Sequence, residues 1–365
     1  MRRRRHPRNP AEKLALSGRF DRYAPEQERE VRRLDVKEDA VLRELKKAWQ
    51  AHDIIKNRHR HRVLSYEDEY YGAVSESLKK LNYSATDVEK FSVALIEFED
   101  EEHFGEKAGL FISALINGCK DEQYKIHTRH LKGWDINYLG YKNTKGIIVE
   151  GNVGAALGMY MEDGQITVNG DVLDAAGHTL RGGTITINGK GRGRLGTHME
   201  GGSIVLNGNA TACAGELMKG GSIIVRGNGG REVGKMMENG TITIEGDAGH
   251  SVGAYLEGGC ITVKGDAGDY VGLYMSGGAI AVNGNAAGYV GKHMRQGTIT
   301  IGGDAEQAVG WEMAGGVVRV KGNAGKDFGV FMSGGEIHLE GDYEDLADDI
   351  RGGKIYHKGK LIVDK

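Results

Sequence analysis

From Gly151 to Gly341 a glycine recurs every nineteen residues without an insertion or deletion, and a register held that long marks a stack of equal units. Taking that glycine as position 0, a second glycine column stands at +7, from Gly158 to Gly329, and a third at +13, from Gly164 to Gly335. Apolar columns run between them. Position +15 is isoleucine from Ile166 to Ile337 apart from Val318, and +17 is Val, Ile or Leu from Val168 to Leu339. The variable +16 between them completes a two-residue alternation, the pattern of a strand with one face buried. Met or Leu at +10 (Met161 to Met332) and Leu, Ala, Val or Phe at +6 (Leu157 to Phe328) bring the inward side chains to four per unit.

Nineteen residues cannot hold a helix, a strand and their loops, whereas short strands joined by glycine corners use them fully. The expected fold is mainly β, a right-handed parallel β-helix of about eleven coils. At an inter-strand spacing of about 4.8 Å the stack is a rod on the order of 50 Å long. Glycine is expected at corners where φ is positive, and the Asn or Asp at +1 (Asn152, Asp171, Asn209 and onward, with Lys190 the one break) is expected to support the turn by Asx bonding.

Composition excludes the familiar glycine-rich classes. There are 59 glycines against 3 prolines, with no Gly-X-Y triplet and 39% hydrophobic residues, so neither collagen nor low-complexity disorder fits. Cys119, Cys213 and Cys260 are too few and scattered for a disulfide framework, which points to a reducing, cytoplasmic setting. No apolar run is long enough for a membrane span, and no apolar signal core follows the basic start, so no membrane association is expected. The net charge of −3 is unevenly divided: residues 1–63 hold 19 Lys+Arg against 10 Asp+Glu, leaving the remainder at −12.

Three segments follow: a charged helical extension over 1–87, an α/β cap over 88–140, and the β-helix with its own C-terminal cap over 141–365. In the extension, Val31, Leu34, Val41, Leu45, Ala48 and Trp49 fall at three- and four-residue steps, and a second helix is expected over Tyr66–Leu81. With few apolar residues, these helices are expected to seek a partner or the solenoid. The cap is expected as strand Phe91–Phe98, helix Glu101–Ile116 and strand Tyr124–Leu131, covering the first coil's open edge. At the other end Tyr343–Ile350 has a short helical pattern.

Candidate chemistry is sparse. Gly191–Gly196 spells GxGxxG, but no helix follows and its outer glycines belong to the repeat, while Gly229–Lys235 spells GxxxxGK with Met236 where Ser or Thr should be. Neither predicts a nucleotide site. One +1 side chain per coil, often neutral, is too little oxygen for calcium. The methionines at +10 are core filler. His59/His61 and His127/His130 lack the companions of a zinc site, and on a strand the second pair would face opposite ways. The Arg2–Arg5 run with Arg8 has no interleaved aromatics, so nucleic acid is not an expected partner. No catalytic, cofactor-binding or metal-ligating residue is assigned. A threonine-rich +16 column could suggest an ice-binding ladder, but it is interrupted, and strand preference accounts for it.

The informative outward column is +9, which holds Tyr160, Tyr255, Tyr274, His293 and Phe331 and is a candidate protein interface unless it is half buried at a corner. The segments Gly246-Asp-Ala-Gly249-His-Ser-Val-Gly253 and Gly265-Asp-Ala-Gly268-Asp-Tyr-Val-Gly272, with the corresponding stretches from Gly227 and Gly322, resemble the repeat of the GXGXG domain. That domain forms the C-terminal part of the glutamate synthase large subunit and one of the subunits of formylmethanofuran dehydrogenase. The resemblance covers about residues 146–341, and Thr211, Ala287 and Glu306 depart from the middle glycine. It implies a β-helix without catalytic residues or cofactor of its own, holding protein partners such as the catalytic subunits of an oxidoreductase or amidotransferase. The alternatives are an enzyme with a site between cap and first coils, using His127, Arg129 or His130, and a free-standing β-helix that binds ice or carbohydrate.

Overall fold

The computed structural model describes residues 38–54, 65–133 and 136–365; Val31, Leu34, the basic run at Arg2–Arg8, and His59 and His61 lie outside them. From the strand Gln123–His127 onward the chain winds as a parallel β-helix, one strand of a 14-stranded sheet per turn, and every pairing but the last is parallel. Register is the nineteen-residue repeat itself: Ile261 lies between Ile242 and Ile280. The expected fold class is the observed one.

The four inward columns fill the interior, and no side chain at +6, +10, +15 or +17 is more than 2% exposed. A fifth inward column exists at +2, where Val153, Val172, Ala210, Ala248, Ala267 and Ala286 are buried. Its small residues hid it from hydrophobic patterning, but isolated parallel bridges such as Ala248↔Ala267 and Ala267↔Ala286 run along it.

The glycine columns have two separate causes. At +7 the expectation of positive φ holds: Gly177 has φ +68, and an added Cβ would also strike the Cδ1 of Ile204 inside the coil. At position 0 it holds only for Gly151 (φ +131) and fails from Gly170 onward. Gly170 has no positive φ, and a Cβ there would collide with the carbonyl of Gly151 in the coil before. This column is glycine because successive coils touch there. The Asx column likewise bonds between coils rather than within a turn: Asp266 N–H donates to Asp247 Oδ1 (2.9 Å), Asn285 N–H to Asp266 Oδ1 (2.7 Å) and Asp304 N–H to Asn285 Oδ1 (2.8 Å).

The cap departs from the expectation. Phe91–Phe98 is not a strand: it continues helix α3 (Ala85–Ala94) into a 3₁₀ turn over Leu95–Phe98. Ser84 and Asp87 form a reciprocal capping box that starts α3, and Val88, Phe91, Leu95 and Phe98 then bury one face at helical spacing. Helices α1 (Ala40–Gln50) and α2 (Tyr66–Leu78) precede it, and α4 (Phe104–Gly118) follows, close to its expected span. The first two do not await a partner. Trp49 of α1 is fully buried, with ring centroids 5.2 Å from Phe98, 5.4 Å from Phe111, 6.0 Å from Phe91 and 6.1 Å from Phe104. Lys107 is buried above its ring, 4.4 Å from the centroid, and its charge is met by Glu101 (3.0 Å) and Asp53 (3.1 Å). Helices from both sides of residue 87 thus share one core.

Both ends of the sheet are protected. α3 lies against the first strand, and Ser92 Oγ accepts from the His127 N–H (3.1 Å). At the far end Tyr343–Ile350 is not helical but forms an irregular further coil, bridged Ala324↔Tyr343 and Phe328↔Leu346. The last strand, Lys360–Asp364, folds back antiparallel with a register shift, and such a short, irregular, charge-flanked edge resists edge-to-edge pairing.

Candidate functional site

The corner between +5 and +9 is where the outward chemistry collects. Within it +6 and +10 point inward, and +7 is a glycine in the left-handed region. The +9 residue is also left-handed in every coil although none is glycine: φ is +56 at Tyr160, +59 at Tyr255, +55 at Tyr274, +55 at His293 and +54 at Phe331. A side chain in this conformation costs roughly 1 kcal/mol or more, and the geometry turns it outward. Tyr255 is 45% exposed, whereas Tyr160, Tyr274, His293 and Phe331 are half-buried at the corner, the alternative that the sequence left open.

Successive coils then stack these rings. Tyr255 and Tyr274 lie 5.1 Å apart and 10° from parallel, and Tyr274 and His293 4.5 Å apart and 8° from parallel. The next +9 residue, Glu312, ends the stack with a carboxylate 3.4 Å from His293 Nδ1. A second line crosses the same corner: Tyr270 and Tyr289 at +5 stack at 5.0 Å, Tyr289 meets Trp311 at 5.9 Å, and Trp311 meets Phe331 edge-on at 6.1 Å. Lys292 lies over both Tyr289 (5.0 Å) and Trp311 (5.4 Å), and the Arg351 guanidinium is 4.7 Å from the Phe331 ring.

Of the five residues singled out in sequence, the structure brings Tyr255, Tyr274 and His293 into one ladder and places Phe331, through Trp311, at the end of the Tyr270–Tyr289 line. Tyr160 stands apart, edge-on to Tyr141 of the cap at 5.8 Å, with the Arg181 guanidinium 5.4 Å from its ring. Sequence reading missed Tyr270, Tyr289 and Trp311. The signal was partial: +5 and +8 lie on either side of the inward +6 and the +7 glycine, and their larger residues turn to the surface while Ala308 and Ala254 in the same columns are buried.

The alternative site near the first coils has little to work with. The strand ends at His127, so the alternation invoked for His130 does not reach it. His127 Nε2 is 2.8 Å from Glu89 Oε1, Arg129 is 3.6 Å from Glu150, and burial, then His127, holds the His130 imidazole below its ordinary pKa. Cys213 Sγ lies 3.3 Å from Glu232 Oε2, and burial followed by that carboxylate raises the thiol to about 11, the reverse of an activated nucleophile. Among the described residues no group of three His, Cys, Asp or Glu could hold a metal ion, and no helix is long and apolar enough to cross a membrane.

No protein-family model matches the chain, and no curated protein matches it at a significant level. The class is therefore defined by the fold alone: a parallel β-helix with a helical N-terminal cap and an aromatic outer corner.

Proposed function

We propose that the chain is a non-catalytic scaffold whose aromatic corner docks a protein partner, the partner being a catalytic subunit of an oxidoreductase or amidotransferase complex, as the GXGXG resemblance implies. The observation that carries this reading is the Tyr255–Tyr274–His293 ladder on an outer corner of a rigid solenoid. Aromatic side chains held at fixed spacing on an outer surface, here Tyr255 exposed and Tyr274 and His293 half-buried, are what interface anchors consist of. Carbohydrate binding is a poorer fit. Sugars stack on open ring faces, and here both faces of Tyr274 and one face each of Tyr255 and His293 are covered by a neighbouring ring.

The test is affinity purification of the full chain from its native host beside a Tyr255→Ser/Tyr274→Ser variant, with partners identified by mass spectrometry. A partner with its own redox or amidotransferase activity, retained by the parent and lost by a folded variant, supports the reading. A partner held equally by both moves the interface elsewhere.

A further inference from the structure

Two grooves on the face formed by +1 to +5 have opposite charge. One, in the early coils, is lined by Arg192, Arg194 and Arg231 with Asp174 the single carboxylate. The other, in the last coils, is lined by Asp304, Glu306, Asp342 and Glu344 with no basic residue. Some of this charge is met locally: Arg194 is 3.1 Å from Asp174, Arg192 3.7 Å from Asp171, and Asp342 2.6 Å from Lys358. Arg192, Arg231, Glu306 and Glu344 are all exposed.

We infer that this face is the interface of an antiparallel dimer with a second copy of the chain. Register decides the geometry. A two-fold axis lying in the face and across the rod reverses the order of coils but keeps each column opposite itself. Thr211 and Gly325, at +3 in the middle coils of the two grooves, are six repeats apart, about 29 Å at 4.8 Å per coil. Midway between them in the same column is Gly268. With the axis at Gly268, Arg192 at +3 faces Glu344 at +3 of the second copy, and Arg231 at +4 faces Glu306 at +3. Each contact occurs twice, as an isologous interface requires. Near the axis +3 is Gly249, Gly268 and Ala287, which lets the two surfaces approach. The like charges that would meet there, the Asp266 and Asp269 carboxylates of the two copies, each accept a backbone N–H of their own chain, Asp266 Oδ1 from Asn285 (2.7 Å) and Asp269 Oδ1 from Gly288 (2.8 Å).

Nine coils of face, about 43 Å by about 13 Å, give on the order of 1,100 Å² in total, near the lower limit for a specific interface. The association is therefore modest and dependent on its charges, and opposite charges across an exposed interface are weakened by salt. It leaves +8 and +9, with the Tyr255–Tyr274–His293 ladder, open, and meets the aromatic corner only at its +5 edge, where Tyr270 and Tyr289 stand.

The experiment is sedimentation velocity on the full chain without partner, at about 50 mM and about 500 mM salt. The parent chain is expected to dimerise at low salt and to dissociate at least tenfold more readily at high salt. Arg192→Glu/Arg231→Glu and, separately, Glu306→Arg/Glu344→Arg are each expected to be monomeric with unchanged melting temperature. Mixed in equal amounts the two variants are expected to form a heterodimer, because both contacts then become attractive again. A parent chain that is monomeric at low salt, variants that stay dimeric, or a mixture that stays monomeric would overturn the inference. A Tyr255→Ser/Tyr274→Ser chain should dimerise normally, so failure of partner docking and failure of self-association are separately visible.

Discussion

Tyr274 and His293, one repeat apart, hold their rings 4.5 Å from each other and 8° from parallel, on backbone that is left-handed at both residues. The repeat brings side chains of adjacent coils to about the stacking distance of aromatic rings, so a column of aromatics becomes a continuous stack. Tyr274 is its middle ring. Tyr274→Ser removes two ring contacts and is expected to cost about 1–2 kcal/mol, whereas Tyr255→Ser removes one and costs about half as much. Chemical denaturation of both variants measures this, and equal costs would mean that the stacks contribute nothing beyond burial.

The left-handed corner makes a second contrast. At +7, Gly177→Ala would place a methyl group against Ile204 on backbone with φ +68, so a loss of about 2 kcal/mol or more is expected. Two residues on, at +9, Met236 has φ +55 and is 40% exposed. Met236→Gly relieves backbone strain and gives up little packing, and it is expected to change stability by less than about 0.5 kcal/mol. A Met236→Gly chain as destabilised as Gly177→Ala would place the +9 side chains in the core.

These corners show how far the sequence was legible. Ile223 and its column revealed themselves because large β-branched residues at fixed spacing rarely arise except where a strand buries one face. Ala248 and its column did not, because alanine at +2 is equally at home outside. The left-handed backbone at Tyr255 (φ +59) and at Cys213 (φ +50) carried no glycine to announce it. Phe91–Phe98 misled because FSVALIEF has the composition of a strand; the signal that overrules it, the Ser84–Asp87 box, lies one turn earlier. The ladder itself was half visible: +9 could be read, but its crossing by Tyr289 and Trp311 depends on which columns share a corner.

Trp49 gives the cap a specific point of failure. It is fully buried among four phenylalanines, and its Nε1 donates to Glu101 (3.0 Å), which also neutralises buried Lys107. Trp49→Ala is expected to cost about 3–5 kcal/mol through cavity formation and loss of the ring above which Lys107 sits. Because α3 covers the first strand of the sheet, the damage should appear as aggregation as well as a lower melting temperature. A Trp49→Ala chain that stays monodisperse and melts as the parent does would show that the solenoid does not need its helical cap.

Two half-buried histidines make stability depend on pH. Burial, then His198 and Arg194, lowers the pKa of His178, and burial, then His127, lowers that of His130, both from 6.5. Between 6.5 and the lowered folded values the unfolded chain binds more protons than the folded one, so stability rises with pH across that window and is lost as pH falls through it. The carboxylates held below their ordinary range, Asp68 and Asp174 among them, act in a separate window below 3.8. Melting temperature is therefore expected to fall between pH 7.5 and pH 5.5. His178→Gln and His130→Gln should each flatten that dependence, and an unaltered slope in the double variant would assign it to other groups.

The break at Lys190 provides the most direct check on the inter-coil ladder. From Asn209 to Asn323 each +1 side chain accepts the +1 backbone N–H of the following coil, as Asn228 Oδ1 does from Asp247 (3.1 Å). Asp171 Oδ1 still accepts from the Lys190 N–H (2.8 Å), but lysine has no acceptor to offer Asn209. Lys190→Asn restores the acceptor at the one position that lacks it, without changing backbone or core. A single intramolecular hydrogen bond of this kind contributes about 0.5–1.5 kcal/mol, so Lys190→Asn is expected to raise stability by about that amount. Lys190→Leu, which removes the charge but supplies no acceptor, controls for relief of repulsion with nearby Arg192. If the leucine chain gains as much as the asparagine chain, the gain is electrostatic and the ladder contributes nothing measurable.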